Sequence, residues 1–391
     1  MGYKKDFEFS TAVKILFGSG TINQAGLYAE TMGQRTLVVL GSNVKRGKCL
    51  IDLLKQQNIE TAIFSIPEEP SVELVEQGVK TARKHGVDMV IAMGGGSVID
   101  AGKAIAALVP NREDIFSYLE VIGKGLPLSK APIPSIAIPT TAGTGAEVTC
   151  NSVLSSIEHK VKVSLRSPSM FPNLAIVDPD LTLSMPPAIT ASTGLDALTQ
   201  LIEAFVSNKA NPMTDALCRE GISRAARSLY QAFKEGQDIE AREDMSIASL
   251  FGGCALANAK LGAVHGIAGP LGGMIPIPHG TACGRFLPLV MKTNVAALYE
   301  RCQESEAIKK YKEIAVICTT DKNADVEDGI KWISSLCKKL DIRGIADFGM
   351  TEEDIPNAVE KAEKASSMKG NPVVLTQKEL TLILSAAMKK S

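Results

Sequence analysis

An alternation of strand-like and helix-like segments fills the first 185 residues of this chain and then stops, and no other feature limits its fold as much. Short aliphatic runs with the character of buried strands occupy residues 36–40, 61–65, 87–93, 135–138 and 173–178. Helical patterns separate them, and this rhythm is typical of a parallel sheet with helices on both faces. The sequence therefore predicts an α/β domain over residues 1–185, ending near Met185-Pro186-Pro187.

The remaining residues, 186–391, show helical periodicity only, which predicts an all-α second domain. The expected helices cover about residues 190–207, 212–235, 241–261, 279–299, 305–318, 326–340, 355–365 and 377–389. A length of 391 residues allows two domains, and 45% hydrophobic residues suffice to bury a core in each.

Composition argues against several classes of function. The net charge is -1, from 42 Lys and Arg against 43 Asp and Glu, so we expect no basic surface for nucleic acid or a membrane. No run approaches the roughly 18 apolar residues that a membrane span needs. The eight cysteines are scattered without a CxxC pair and the N-terminus has no apolar signal core, so a reducing cytoplasm is expected.

Two histidines and one carboxylate of the second domain have the chemistry of a metal site. Asp196 and Gln200 lie four residues apart in a predicted helix, so their side chains share one face. His265 and His279, each followed by glycine, are two of only four histidines in the chain. A carboxylate with two imidazoles suits Zn²⁺ or Fe²⁺. A helix-terminal carboxylate and two unrelated histidines in turns would give the same pattern.

A triple glycine, Gly94-Gly95-Gly96, followed by Ser97, stands between the third strand and a helix. Glycines there let the backbone approach a phosphate, and the helix N-terminus offers free N–H groups. A plain tight turn is the alternative, and the motif is not the GxGxxG fingerprint. Asp100 is expected in the first helical turn, where a carboxylate is stabilised with or without a ligand.

A second polar loop follows the fourth strand and contains Thr140, Thr141, Thr144 and Thr149. Their hydroxyl groups could bind a diphosphate or a ribose. A cluster of threonine turns that caps a helix is the more common explanation of such a loop.

Taken together and in order, these motifs resemble those of the iron-containing (group III, metal-dependent) alcohol dehydrogenase family. The matching stretches cover nearly the whole chain and include residues 94–103, 139–149, 177–179, 185–187, 193–199 and 278–280. The resemblance implies a dehydroquinate synthase-like fold, with a dinucleotide-binding α/β domain, a helical metal domain and a cleft between them. It also implies NAD(P)-dependent interconversion of alcohols with aldehydes or ketones, commonly by a homodimer.

The resemblance also assigns site residues by position. The loop Gly94–Ser97, with Asp100 in the same motif, would hold the pyrophosphate, and the four threonines would line the adenine and ribose side. Asn151 and Lys162 fall where the family contacts the nicotinamide ribose region. The residues that match the family's metal ligands are Asp196, His265 and His279.

Two positions depart from the family pattern. Gln200 stands where the family has a fourth ligand, a histidine, and a glutamine oxygen is a weak ligand for such metals. Gly269 stands where the family often has a histidine implicated in proton transfer. Three protein ligands are still compatible with catalysis. A metal-free reductase of an oxo-acid, similar to maleylacetate reductases, and a cofactor-binding protein that has lost catalysis are the alternatives.

The residues after the first long strand bear on the choice of nicotinamide. An acidic residue there often binds the ribose 2′-hydroxyl of NAD, but no Asp or Glu appears before Asp52. Gly41-Ser42-Asn43, followed by Lys45 and Arg46, could instead receive a 2′-phosphate. We therefore expect NADPH, with a solvated basic turn as the alternative.

The expected reaction transfers a hydride from nicotinamide C4 to a carbonyl carbon while the metal polarises the carbonyl oxygen. Because Gly269 carries no imidazole, we expect the proton for the alkoxide to arrive through water and the ribose hydroxyls. Lys260, which shortly precedes His265, could assist this transfer or bind an anionic substrate. A solvated lysine without a role is the alternative.

Overall fold

A computed structural model describes residues 6–156, 158–159 and 161–389. Within these residues the chain forms two compact units. The first, which we call the sheet unit, consists of Thr11–Thr141 and Gly145–Leu183. The second, the helical unit, contains Ala142–Thr144, the residues from Ser184 onward and the described residues up to Ser10.

The strands of the sheet unit are β1 (Ile15–Phe17), β2 (Arg35–Gly41), β3 (Glu60–Ile66), β4 (Met89–Gly94), β5 (Ser135–Pro139), β6 (Asn151–Ser156), β7 (Val161–Arg166) and β8 (Leu174–Val177). Six of them form one parallel sheet in the order β1-β8-β5-β4-β2-β3. All five strand-like runs of the sequence lie in this sheet, so the expected α/β fold is confirmed. The pair β6–β7 is a separate antiparallel hairpin.

Both faces of the sheet are covered by helices, and β2 shows why. Its side chains point alternately to opposite faces, so Leu37 and Val39 enter one apolar cluster while Val38 and Leu40 enter another. Each such buried aliphatic side chain contributes roughly 1.5–3 kcal/mol. The helices of this unit are α1 (Ala25–Glu30), α2 (Lys48–Gln56), α3 (Val72–Lys84) and α4 (Gly96–Leu108).

The helical unit is built around α5 (Pro187–Val206), which is buried along most of its length. The other helices are α6 (Pro212–Lys234), α7 (Ile239–Ala259), α8 (Ala263–Leu271), α9 (His279–Arg301), α10 (Glu306–Thr319), α11 (Val326–Lys339), α12 (Ile355–Lys364) and α13 (Gln377–Ala387). Because α5 packs against α6, α7 and α9, polar side chains on it are enclosed by three neighbouring helices.

Helix α8 and the β6–β7 hairpin were missed in the sequence. Helix α8 has nine residues and contains two glycines and Pro270, all of which weaken helix formation in isolation. Its burial in the helical unit compensates for this poor intrinsic propensity. The hairpin does carry a signal, since Val161, Val163 and Leu165 alternate with polar residues as a half-buried strand requires.

No single helix among the described residues has the length and apolarity to cross a membrane. Helices α7 and α8 would satisfy those two criteria only if counted together, and they are bent by 100° at the break between them.

Candidate active site

Three polar side chains project from one face of α5. They belong to Asp196, Gln200 and Glu203, whose spacing of four and three residues stacks them along the helix. Their exposed fractions are only 3%, 3% and 4%. Because buried charges are costly unless they are paired or bind an ion, this face marks a polar site inside the helical unit.

Glu203 fixes both the start of α8 and the ring of His265. Its Oε1 accepts a hydrogen bond from the Val264 N–H at 2.6 Å, and its Oε2 accepts one from the His265 N–H at 3.3 Å. The same Oε2 lies 2.6 Å from His265 Nδ1. Because Glu203 Oε2 also accepts the backbone N–H of His265, it is the acceptor here, so Nδ1 donates and Nε2 is left to face Asp196 Oδ1, 3.2 Å away.

Helix α9 supplies two more groups one turn apart. His279 is its first residue, and its Nε2 lies 3.8 Å from Asp196 Oδ1. Cys283 follows four residues later, and its Sγ lies 3.6 Å from His279 Nε2 and 3.8 Å from His265 Nε2. Gly280 permits this approach, because a Cβ there would lie 1.9 Å from the Ser192 carbonyl oxygen of α5.

One carboxylate oxygen, two imidazole nitrogens and one sulfur therefore lie within 4.8 Å of one another, on Asp196, His265, His279 and Cys283. Three of these residues were expected to meet from the sequence. Cys283 was missed, although the spacing His-x-x-x-Cys in a helix would have placed both groups on one face. These donor types fit a divalent ion such as Zn²⁺ or Fe²⁺.

The four groups shift one another's pKa. Burial raises the pKa of Asp196 and of Cys283, but the imidazoles outweigh it, so both values lie below their usual range. The charge on Cys283 raises the pKa of His279 against the effect of burial. Burial lowers the pKa of His265, but Cys283 and Asp196 together bring it well above its usual value. A bound metal ion would thus displace protons from both imidazoles.

Gln200 lies beside this cluster, and its side-chain amide interacts with Asp196. Its Nε2 donates to the Thr144 carbonyl oxygen at 3.3 Å. Its Oε1 is buried and has no hydrogen-bond partner among the described residues. That oxygen lies beside α7, where a Cβ on Gly252 would be 3.3 Å from it. The amide nitrogen is thus directed toward Thr144 and Asp196.

Lys260 and Gly269 lie on either side of His265 in the chain. Lys260 follows α7 with a φ of 60° and an exposed side chain. Gly269 lies one turn after His265 on the same face of α8, and a Cβ there would meet nothing within 4 Å. An open space therefore exists where the family often has an imidazole.

The two loops expected to bind the dinucleotide lie side by side. Gly94 ends β4 and pairs with Pro139 at the end of β5, and the Thr140 N–H donates to the Gly94 carbonyl oxygen at 2.9 Å. Gly95 is the N-cap of α4, so Gly96 and Ser97 begin that helix. The carboxyl ends of parallel strands are where such sheets bind ligands.

Glycine is sterically required at the first of these positions. A Cβ on Gly94 would lie 2.6 Å from the Val98 Cβ, whereas one on Gly95 would only touch Thr141 at 3.5 Å. Gly94 is therefore required for the packing of β4 against α4. Packing does not require a glycine at position 95, so Gly95 is the better candidate for a residue whose backbone contacts a ligand.

Asp100 and Thr149 make internal contacts through Lys103. Asp100 is the fifth residue of α4, beyond the first turn where it was expected. Its Oδ2 accepts from the Val153 N–H at 2.9 Å, and its Oδ1 lies 2.9 Å from Lys103 Nζ. The buried Lys103 Nζ also donates to Thr149 Oγ1 at 2.9 Å. Asp100 thus holds the β6–β7 hairpin to α4, and Thr149 holds the segment just before the hairpin to the same helix through Lys103.

Asn151 and Lys162 lie at different ends of that hairpin. Lys162 pairs with Ser155, four residues along β6 from Asn151, which corresponds to about 13 Å of strand. The Lys162 ammonium forms an ion pair with Glu69 at 2.6 Å. A single ribose cannot lie against both side chains unless Lys162 leaves Glu69.

The basic turn after β2 is exposed. Gly41 is the last residue of β2, and Ser42 and Asn43 lead into a 3₁₀ turn that contains Lys45 and Arg46. Apart from the half-buried Gly41, these side chains are all exposed. Among the described residues, neither basic side chain forms an ion pair, so both charges are available to a ligand.

Comparison with known proteins places both units in one family. A family model described as iron-containing alcohol dehydrogenase matches residues 12–179, and one described as Fe-containing alcohol dehydrogenase family, C-terminal, matches residues 190–388. Alcohol dehydrogenase 4 of Saccharomyces cerevisiae is 34% identical over 378 residues, which cover 95% of this chain and 96% of that protein.

Two further relatives match along their whole length. The 1,3-propanediol dehydrogenase of Klebsiella pneumoniae is 34% identical over 397 residues, covering 99% of this chain and 100% of that protein. A crystal structure of a 1,3-propanediol oxidoreductase superposes with a TM-score of 0.91 at 32% identity, covering 98% of this chain and 100% of that chain.

Proposed function

This chain belongs to the iron-containing alcohol dehydrogenase family, and from that premise we propose that Asp196, His265 and His279 hold its divalent metal. The chain is a nicotinamide-dependent oxidoreductase that interconverts an alcohol and an aldehyde or ketone by hydride transfer. The convergence of two buried side chains from α5 and α8 with the partly exposed His279 of α9 carries the proposal. Asp196 Oδ1 lies 3.2 and 3.8 Å from the two imidazole Nε2 atoms.

Each residue of this site has its own task. A divalent ion held there supplies Lewis-acid polarisation of the carbonyl oxygen. Asp196 contributes a buried negative charge, and Glu203 keeps the His265 Nε2 lone pair directed inward by accepting a hydrogen bond from Nδ1. The side chain of His279 is 36% exposed and that of Asp196 is 4% exposed, so the substrate enters from the side of His279.

The proton that reduction requires comes from solvent in this proposal. Gly269 has no side chain to donate it, and the open space at this position, one turn from His265, admits water. Water in this space would carry the proton toward the substrate oxygen, and a bound cofactor would add its ribose hydroxyls to that path. Lys260 is exposed and assists only by its charge. A Lys260→Ala variant with unchanged kcat and KM would remove it from the mechanism.

We propose a short-chain aldehyde or its primary alcohol as the substrate. The relatives named for 1,3-propanediol support this class. A panel of aldehydes and ketones from two to eight carbons, with and without a second hydroxyl group, would test it. Higher kcat/KM for ketones or for oxo-acids than for any aldehyde would contradict it.

For the cofactor we propose NADPH. The exposed Lys45 and Arg46 lie directly after β2, and no acidic residue stands there to bind the ribose 2′-hydroxyl. Arg46→Ala should weaken NADPH binding about tenfold, the effect of losing one charge-assisted hydrogen bond, and leave NADH binding unchanged. Lys48→Ala is the matched control, because Lys48 already pairs with Asp52. Tighter binding of NADH than of NADPH by the wild type would contradict the proposal.

The metal site is tested by His265→Ala. This variant should lose both bound metal, measured by elemental analysis, and reductase activity, because the central imidazole is removed. Full turnover by His265→Ala, or wild-type activity that survives EDTA, would contradict the proposal and favour a metal-free reductase.

The assembly and compartment are also proposals. A homodimer is expected from the family, and light scattering on the purified protein would distinguish it from a monomer. A cytoplasmic location is expected from the scattered cysteines, and cell fractionation would test it.

A further inference from the structure

Helix α9 presents a thiol to the metal site that no expected ligand set contains. Cys283 is fully buried and lies one helical turn after His279. Its Sγ faces the two imidazole Nε2 atoms at 3.6 and 3.8 Å. The sulfur therefore occupies the fourth corner of a group whose other three corners are Asp196 Oδ1 and those two nitrogens.

The dimensions of this group match a tetrahedral metal site. Bonds of about 2.0–2.3 Å from Zn²⁺ to O, N and S give edges between neighbouring ligand atoms of about 3.3–3.6 Å. The measured edges are 3.2 and 3.8 Å from the Asp196 oxygen to the two nitrogens, and 3.6 and 3.8 Å from the sulfur to the same nitrogens. Along these four of the six edges, shifts of a few tenths of an ångström would suffice to accommodate the ion, and the remaining two edges are shorter than 4.8 Å.

Gln200 occupies the sequence position of the family's fourth ligand, and its amide nitrogen is shared between Thr144 and Asp196. Its Nε2 is engaged by the Thr144 carbonyl oxygen, and its Oε1 lies beside Gly252 of α7. An amide nitrogen is a poor metal ligand, and an amide oxygen is weak for borderline metals. The loss of the histidine at position 200 is thus accompanied by a stronger donor at position 283.

We propose that Cys283 Sγ is the fourth protein ligand of the metal in the resting enzyme, joining Asp196, His265 and His279 in place of a ligand at Gln200. Catalysis then requires the substrate oxygen to enter as a fifth ligand, an expansion that catalytic zinc sites allow. This inference rests on the metal site of the proposed function. A thiolate and a carboxylate together balance the charge of a divalent ion, which favours its burial. The soft sulfur favours Zn²⁺ over Fe²⁺.

X-ray absorption at the zinc edge tests the ligand directly. Wild-type protein purified without chelator and loaded with one equivalent of Zn²⁺ should show one sulfur neighbour at about 2.3 Å. Cys283→Ser should lose this sulfur shell and bind Zn²⁺ at least about tenfold more weakly, the loss that removing even an outer partner of a ligand causes. Cys318→Ser is the matched control, because Cys318 is a buried thiol outside the metal cluster.

A zinc spectrum of the wild type fitted by oxygen and nitrogen alone would overturn the proposal, and so would a sulfur shell that persists in Cys283→Ser. The wild-type measurement decides the question even if the variant does not fold. In the Co²⁺-loaded protein, a thiolate-to-metal charge-transfer band in the near ultraviolet should be present in the wild type and in Cys318→Ser and absent in Cys283→Ser.

The result separates this inference from the proposed function. If the wild type binds one metal ion that His265→Ala loses, and no sulfur is detected, the proposed site stands and the thiol ligand is wrong. If neither protein retains metal, both proposals fail. In a competition with equimolar Zn²⁺ and Fe²⁺ under anaerobic conditions, the wild type should retain Zn²⁺, and equal retention of Fe²⁺ would contradict the soft-ligand argument.

Discussion

At the scale of single residues, the site depends on side chains that orient other side chains. Glu203 accepts three hydrogen bonds, from two backbone N–H groups and from His265 Nδ1. Such a partner fixes the ring orientation of a metal-binding histidine and raises its basicity. Nothing in the sequence singled out Glu203, because a glutamate in a helix is usually solvated.

Replacing Glu203 with Gln should therefore weaken metal binding without removing a ligand. We expect a loss of about 10–100-fold in metal affinity, together with destabilisation of about 1–3 kcal/mol, because the new amide N–H₂ faces another donor. Titration with Zn²⁺ and denaturant unfolding would measure the two effects. Glu313→Gln, on the half-exposed face of α10, is the control, and an unchanged affinity in Glu203→Gln would show that the carboxylate does not orient His265.

Glu147 gives the sheet unit a pH dependence. It is almost fully buried, and burial raises its pKa from 4.5 to about 7 although Lys103 acts in the opposite direction. Between these two values the folded state holds a proton that the unfolded state has released, so stability falls as pH rises through this window. Across the whole window the free energy of unfolding falls by about 3 kcal/mol.

The variant Glu147→Gln removes this titration. The unfolding free energy of the wild type relative to the variant should fall from about pH 4.5 to about pH 7 and then become constant. Circular dichroism during urea unfolding at several pH values would measure it. Glu68→Gln, at an exposed position of the same unit, should show no such slope, and parallel curves for Glu147→Gln and the wild type would contradict the prediction.

At the scale of elements, close helix approach positions the ligands. Helix α9 meets α5 at Gly280 and Gly284, where added Cβ atoms would lie 1.9 Å from the Ser192 oxygen and 2.5 Å from Leu195 Cδ1. These contacts bring His279 and Cys283 toward Asp196. The close packing of Gly280 and Gly284 against α5 therefore sets the position of the site.

Two glycines next to the site should respond oppositely to alanine. Gly280→Ala must push α9 away from Ser192, which should cost about 1–3 kcal/mol of stability and weaken metal binding. Gly269→Ala adds a methyl group into open space inside α8 and should stabilise the protein by up to about 1 kcal/mol. Thermal unfolding of both variants measures the difference, and equal shifts of the same sign would show that helix approach does not control the site.

At the scale of the whole molecule, metal binding should stabilise the helical unit. All proposed ligands lie on α5, α8 and α9, so an ion bound there favours the folded state of that unit. The only tryptophan, Trp332 of α11, packs against the core of the same unit, so its fluorescence reports unfolding there.

Zinc at about 100 times its dissociation constant should raise the unfolding free energy seen by tryptophan fluorescence by about 2.7 kcal/mol. Added EDTA should reverse the shift in the wild type, and His265→Ala should show no shift in either condition. A wild-type transition that does not respond to zinc would mean that the ion does not bind the folded helical unit.

The α/β character of the first half and the helical character of the second could be predicted because they depend on local patterns. The alternation of strand and helix patterns can be recognised in the sequence without knowledge of tertiary contacts. The parallel sheet with α3 and α4 packed on it was therefore expected. The glycine loop at Gly94 and the histidines at 265 and 279 were equally visible. Each motif carries its residue types regardless of what surrounds it.

Tertiary packing decided the rest. Helix α8 forms although its glycines and proline oppose it, because its apolar residues are buried in the helical unit. The position of Cys283 beside the imidazoles, and the orienting role of Glu203, depend on which helix faces meet. The sequence determined the chemical groups and their order along the chain. Only the folded structure decided which of them lie within bonding distance of one ion, because that distance is set by contacts between helices far apart in sequence.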